Sequence, residues 1–105
     1  MTMAETALLA RFKADLVALY GARLEKVVLF GSRARGDARE DSDWDLALSV
    51  HGMGRWYDES RPLSRLSLEF FDTAGIWIQA IPIPAETWDD RTPLMHEIRK
   101  DGIAI

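Results

Sequence analysis

Residues 27–50, VVLFGSRARGDAREDSDWDLALSV, decide how the rest of the chain is read. Val27–Phe30 is an unbroken apolar run of strand character. The chain breaks at Gly31-Ser32, crosses a charged segment, and re-enters an apolar run at Trp44 with Asp43 and Asp45 at its start. Alternation along a strand puts both aspartates on one face, about 6.5–7 Å apart at Cα. Like charges so placed repel each other. A divalent cation between them relieves the repulsion, and hard oxygen ligands suit Mg²⁺, whose shell phosphate oxygens can complete.

Gly31 has no Cβ, so a phosphate can approach its backbone and the turn can take unusual dihedrals. Ser32 suits the N-cap of a short helical turn through Arg33-Ala34-Arg35, with Gly36 as its stop. The start of such a turn offers free N–H groups and a partial positive charge to an anion. A phosphate at Ser32 facing metal at Asp43 and Asp45 is a layout for phosphoryl or nucleotidyl transfer.

Gly31-Ser32, ten intervening residues and Asp43-Trp44-Asp45 together resemble the GSx10DxD signature of the minimal nucleotidyltransferases, the smallest members of the DNA polymerase β superfamily. The resemblance is dense over these residues, and the family's length and element order fit the whole chain. It implies an α/β (α+β) fold: a mixed sheet of about three to four strands flanked by helices, like the polymerase β palm. It implies one or two Mg²⁺ ions held by Asp43 and Asp45, and a nucleoside triphosphate such as ATP bound at Gly31 and Ser32. It also implies a partner, because minimal nucleotidyltransferases are often the antitoxin paired with a HEPN-domain RNase, and some add AMP to that toxin.

The composition bounds these expectations. A chain of 105 residues has room for one domain, residues 1–105. No apolar run approaches membrane-spanning length, and no signal-peptide core is expected at the N-terminus. The absence of cysteine fits a reducing cytoplasm. A net charge of −4 argues against broad nucleic-acid binding but not against local recognition of one nucleotide.

Outward from the motif, helical spacing over residues 4–20 (Leu8, Leu9, Phe12, Leu16, Leu19, Tyr20) predicts a core-facing helix ending at Gly21. Leu24–Phe30 is the first strand, with helices expected on both sides of the sheet there. In residues 33–42, Asp37, Arg39, Glu40 and Asp41 read as a solvated loop, and Arg33 and Arg35 as either phosphate ligands or surface residues. Trp44–Val50 is the second strand, with Trp44, Leu46, Leu48 and Val50 facing the core and Asp43, Asp45, Ala47 and Ser49 sharing the other face. Aspartate is depleted in strands, so two at a strand start favour a site over chance.

Residues 51–60 read as a flexible connection, and Pro62–Ala74 as a helix with Pro62 in its first turn. Its stripe is Leu63, Leu66, Phe70 and Ala74, widened by Leu68 and Phe71. Ile76–Ile81 is the third strand, which Pro82 ends or marks as an edge. Pro84–Asp90 reads as a helical turn, Thr92-Pro93 starts a last helix, and residues 102–105 form an apolar tail docked on the sheet or on a partner. His51 and His96 stand apart from other metal-ligand residue types. Trp56, Tyr57, Trp77 and Trp88 fall near element edges, as core filling or as an interface patch.

The superfamily usually places a third carboxylate on the third core strand. In this chain the register of IWIQAIPI puts Gln79 there, and an amide cannot take a proton from an attacking hydroxyl. Three readings follow: an active transferase, which the intact Gly31, Ser32, Asp43 and Asp45 favour; a binding module that neutralises its partner by occupying it; and a generic small α/β domain with a coincidental motif. A homodimer is also open.

Overall fold

The computed structural model describes all residues, 1–105. The elements run α1 (Met3–Tyr20), β1 (Leu24–Phe30), α2 (Ser32–Arg35), β2 (Trp44–Val50), α3 (Trp56–Ala74), β3 (Ile78–Pro84), α4 (Pro93–Asp101) and β4 (Ile103–Ala104). They form one four-stranded mixed sheet in the order β3-β2-β1-β4. β1 pairs antiparallel with β2 and β4, and β2 pairs parallel with β3. A parallel pair needs a crossover, and α3 supplies it.

Both sheet faces are covered, as the apolar run of β1 predicts. On one face α1 and α3 bring Leu9, Phe12, Leu16, Leu63 and Phe70 onto Val27, Leu29, Trp44, Leu46, Leu48 and Val50. Full burial of one such side chain contributes about 1.5–3 kcal/mol, so this is where most of the fold's apolar stabilisation lies. On the other face α4 sets Met95 and Ile98, with Trp88, against Phe30, Ala47 and Ile83. Along β2 and β3 that smaller cluster reaches Ala47 and Ile81, and its Phe30 lies beside Asp45. Asp45 and Gln79 are paired two residues nearer the N-terminal ends of β2 and β3, where Asp45 is half-buried and Gln79 exposed.

The helix α1 begins with a capping box between Thr2 and Glu5, and α4 with Thr92 accepting from the Met95 N–H at 3.2 Å, Pro93 being its first residue. The expected β1 and β2 match the observed strands in their bounds. Three expectations need correction. First, α3 begins at Trp56, so much of the expected connection is helix and Pro62 is its seventh residue. Its N-cap, Arg55, makes no side-chain cap. Instead Glu59 accepts from the Gly54 N–H at 3.2 Å and pairs with Arg23. Arg23 also donates to the carbonyls of His51 and Gly52 at 3.0 and 3.2 Å. A partner 36 residues away in sequence therefore orders this helix start.

Second, β3 starts and ends later than expected, at Ile78–Pro84, and is the edge strand that Pro82 allows. The Trp77 carbonyl accepts from the Trp44 N–H at 2.9 Å, while the Ile78 carbonyl accepts from the Ser67 hydroxyl of α3 at 2.7 Å. Backbone direction alternates along a strand, so Pro82 and Pro84 share the outward parity of Ile78. Their missing N–H groups then cost no ladder bond. Third, Leu68 and Phe71 do not widen the core stripe of α3: they are 57% and 42% exposed. The tail docks on the sheet as β4, which pairs with Val28 and Leu29. A Cβ on Gly102 would meet the Ile98 carbonyl at the end of α4 and stand 2.7 Å from Val28 Cγ1, so the tight exit from the helix toward β1 favours glycine there.

Candidate active site

β1 delivers Phe30 beside Asp45, and the turn that follows brings Gly31 back over it. Gly31, at φ 75° and ψ −158°, is itself the N-cap of α2, so Ser32 is the first helical residue rather than the cap. That backbone region belongs almost solely to glycine, which is why the cap falls one residue earlier than expected. The N–H groups of Ala34 and Arg35 both donate to the Gly31 carbonyl, at 3.1 and 3.0 Å. Those of Ser32 and Arg33 precede that first bond, as the leading donors of a helical turn do.

The Asp45 carboxylate lies directly against this turn: a Cβ placed on Gly31 would be 2.6 Å from Asp45 Oδ2. Asp43 immediately precedes β2. Burial first, and then the charge of Asp43, push the Asp45 carboxyl above its ordinary value of 3.8, while Arg35 pulls it down. The acid pair is thus electrostatically coupled and only partly compensated by the chain. On the other side of Asp45, in register on β3, stands Gln79, exposed.

The two arginines go different ways. The Arg33 guanidinium donates to the carbonyls of Ser42 and Glu40 at 2.9 and 3.0 Å, lies 4.6 Å from the Trp44 ring centroid, and faces Glu5 at 3.6 Å. These bonds fasten the charged loop down in front of β2. Arg35 pairs with Asp37 at 3.1 Å and Asp101 at 3.4 Å, and acts on Asp45 electrostatically. Asp43, Asp45, Gly31, Ser32 and Arg35 gather at one end of the sheet, whereas Nε and Nη2 of Arg33 are taken by loop carbonyls and Nη1 faces Glu5. Sequence reasoning missed that loop role, for which the Arg-rich spacing carried no separate signal.

As donors, Asp43 and Asp45 suit a hard divalent cation whose remaining positions go to phosphate and water oxygens. No group of three or more His, Cys, Asp or Glu side chains converges to hold a metal by itself. No helix is long and apolar enough to cross a membrane.

The raised carboxyl has a signed consequence. Asp45 binds its proton more tightly folded than unfolded, so its ionisation lowers stability as pH rises from about the unfolded value of 3.8, and the loss is complete above the folded value. Glu5, lowered chiefly by its hydrogen bond to the Thr2 backbone, acts with the opposite sign. Comparing wild type with Asp45→Asn cancels the Glu5 contribution. We expect metal-free urea unfolding at a series of pH values to show Asp45→Asn gaining on wild type from about pH 3.8 upward, then levelling, by an amount within the ~1 kcal/mol scale of exposed charge pairs. A difference independent of pH would mean that Asp45 is not perturbed.

A small mixed sheet with an aspartate pair set against a glycine-serine turn defines a nucleotidyltransferase-fold protein. The chain belongs to the polymerase β nucleotidyltransferase family: the sequence profile described as "Polymerase beta, Nucleotidyltransferase" matches residues 13–105. It is similar to a protein of Methanocaldococcus jannaschii named as a protein adenylyltransferase, with 35% identity over 66 residues, 60% of this chain and 67% of that one. Among solved structures it resembles one named as a minimal nucleotidyltransferase, at 29% identity and TM-score 0.59, over 95% of this chain and 94% of the other. A nucleotidyltransferase from Sulfolobus solfataricus superposes with TM-score 0.60 at 24% identity, over 99% of this chain and 86% of the other. A toxin–antitoxin structure with AMP-PNP superposes with TM-score 0.61 at 15% identity, over 90% and 69% of the two chains, which is likeness of fold. The chain is thus a transferase by family.

Proposed function

We propose that this chain, as one domain spanning residues 1–105, transfers AMP from ATP to a hydroxyl of a HEPN-domain partner in the cytoplasm and acts as that toxin's antitoxin. The observation that carries the reading is the packing of the Asp45 carboxylate against Gly31, which sets an acid pair beside a turn suited to phosphate. The adenylyltransferase relative and the toxin–antitoxin structure with AMP-PNP support it. Gly31 and Ser32 hold the β,γ-phosphates, Arg35 adds positive charge beside them, and Arg33 reaches the nucleotide only indirectly, through the loop it fastens. Asp43 and Asp45 hold Mg²⁺, which when bound supplies charge stabilisation to the transferring phosphoryl group. The acceptor oxygen bonds to the α-phosphorus as the α–β bridging P–O bond breaks. Pyrophosphate leaves, and the hydroxyl proton passes to water, because the Gln79 amide cannot accept it.

Gln79 also favours a second reading, a binding module with slight turnover. The two are separated by incubating the protein with α-labelled ATP, Mg²⁺ and the product of the neighbouring gene. Label on the neighbour supports the transferase; a tight complex without label supports the binder. In the same assay Gln79→Glu is expected to raise transfer at least about tenfold, a fraction of the ~10²–10⁴-fold that a well-placed general base contributes. An unchanged rate with the fold intact would place the base elsewhere.

A further inference from the structure

A cleft of about 560 Å³ opens beside Asp43, between the charged loop and the C-terminal end of α3. Leu68, Phe71 and Trp77 form its apolar wall; of its charged residues Glu40, Asp41 and Asp43 are acidic, and the one cation, Arg33, is turned to the loop carbonyls and Glu5. Phe71 meets Trp77 edge-on, with ring centroids 6.1 Å apart. Leu68 and Phe71, one helical turn apart, are large apolar side chains left in solvent, the kind of patch that marks a binding surface. Trp44, which also lines the cleft, has a buried indole N–H with no acceptor within the chain.

The sheet order tells which reactant meets this cleft. Gly31 and Ser32 follow β1, on one side of β2, and Trp77 precedes β3, on the other. In phosphoryl transfer the attacking and leaving oxygens lie roughly in line. With pyrophosphate leaving toward Ser32, the acceptor enters from the β3 side, past Trp77.

We propose that this cleft is the acceptor subsite, and that it takes a polypeptide segment carrying an apolar side chain flanked by lysine or arginine. The inference rests on transfer to a protein hydroxyl as proposed above. The apolar wall accepts the side chain, and Glu40 and Asp41 complement its basic neighbours. Unlike charges across a rim steer encounter and exclude acidic competitors.

The test is fluorescence anisotropy with the full-length protein and two fluorescein-labelled heptapeptides, Arg-Lys-Ile-Tyr-Ile-Arg-Lys and Glu-Asp-Ser-Tyr-Ser-Glu-Asp. AMP-PNP affinity with Mg²⁺ is measured on the same samples. The basic apolar peptide is expected to bind at least about tenfold more tightly than the acidic one, and Leu68→Ser/Phe71→Ser to weaken it at least about tenfold, as loss of an apolar anchor does. Glu40→Gln/Asp41→Asn is expected to weaken it about threefold at low salt, with the loss fading as salt is raised. In both variants AMP-PNP affinity stays within about twofold of wild type, because Gly31, Ser32, Asp43 and Asp45 are all unchanged in them. Equal binding of the two peptides overturns the proposal, as does peptide binding that Leu68→Ser/Phe71→Ser leaves intact. A fall in AMP-PNP affinity in that variant also overturns it, by assigning the cleft to the nucleotide. If wild type itself fails to bind AMP-PNP, the transferase reading fails while the peptide result still judges the cleft.

Discussion

The Asp43→Asn/Asp45→Asn double variant is expected to lose Mg²⁺-dependent ATP binding at least about a hundredfold, since a bound metal supplies several kcal/mol of charge stabilisation. Without metal, the same variant is expected to unfold at a higher temperature than wild type. The two effects have one origin. The Asp45 carboxyl is raised by burial and by Asp43, so the metal-free fold carries an electrostatic penalty that a cation would relieve. Asparagine keeps the shape and the acceptor oxygen but removes the charge. The thermal gain is small, because the site is partly open to water and exposed charge pairs are worth about 0–1 kcal/mol. Isothermal titration with AMP-PNP and Mg²⁺, together with thermal melts in EDTA, reads both arms. Undiminished nucleotide binding in the double variant would remove these aspartates from the site.

Gly31→Ala is the second large effect, and it acts through geometry rather than charge. At φ 75° and ψ −158° any Cβ is strained, which costs about 1–3 kcal/mol. The added methyl would also stand 2.6 Å from Asp45 Oδ2, so the carboxylate or the turn must move. Misplacement of a positioning group by about 1 Å can cost about a hundredfold in rate, and a loss of that order in AMP transfer is expected. The control is Gly52→Ala. Gly52 also has a positive φ, 65°, but no atom lies within 4 Å of its built Cβ. That variant is expected to lose stability through its own positive φ and to keep its transfer rate. If both glycine variants lose transfer equally, the effect is general destabilisation and not contact with Asp45.

What could be read from residues alone was the local part. The bounds of β1 and β2, the α1 stripe through Leu9, Phe12 and Leu16, and the Thr92-Pro93 start of α4 all rest on periodicity or capping within a few residues. The place of Gln79 at the third-carboxylate position came from the family resemblance, and its pairing with Asp45 is seen only in the folded sheet. The start of α3 was not legible. Arg55 offers no cap, and the signal lies in an Arg23–Glu59 pair that no local pattern displays. Leu68 and Phe71 look like core by helical spacing, yet solvent meets them because no element of the chain packs over that end of α3.

The order of residues from Val27 to Val50 by itself determined that a glycine-serine turn and an aspartate pair flank one charged loop, since strand alternation and glycine's freedom are properties of the residues in place. Only tertiary structure decided which groups meet. Antiparallel pairing of β1 with β2 folds Gly31 onto Asp45. Carbonyls of the loop, fixed by the loop's own course, draw Arg33 away from the turn. The physical reason is range: periodicity and caps act over a few residues, whereas a contact between two strands or between a loop and a helix exists only once the sheet has formed.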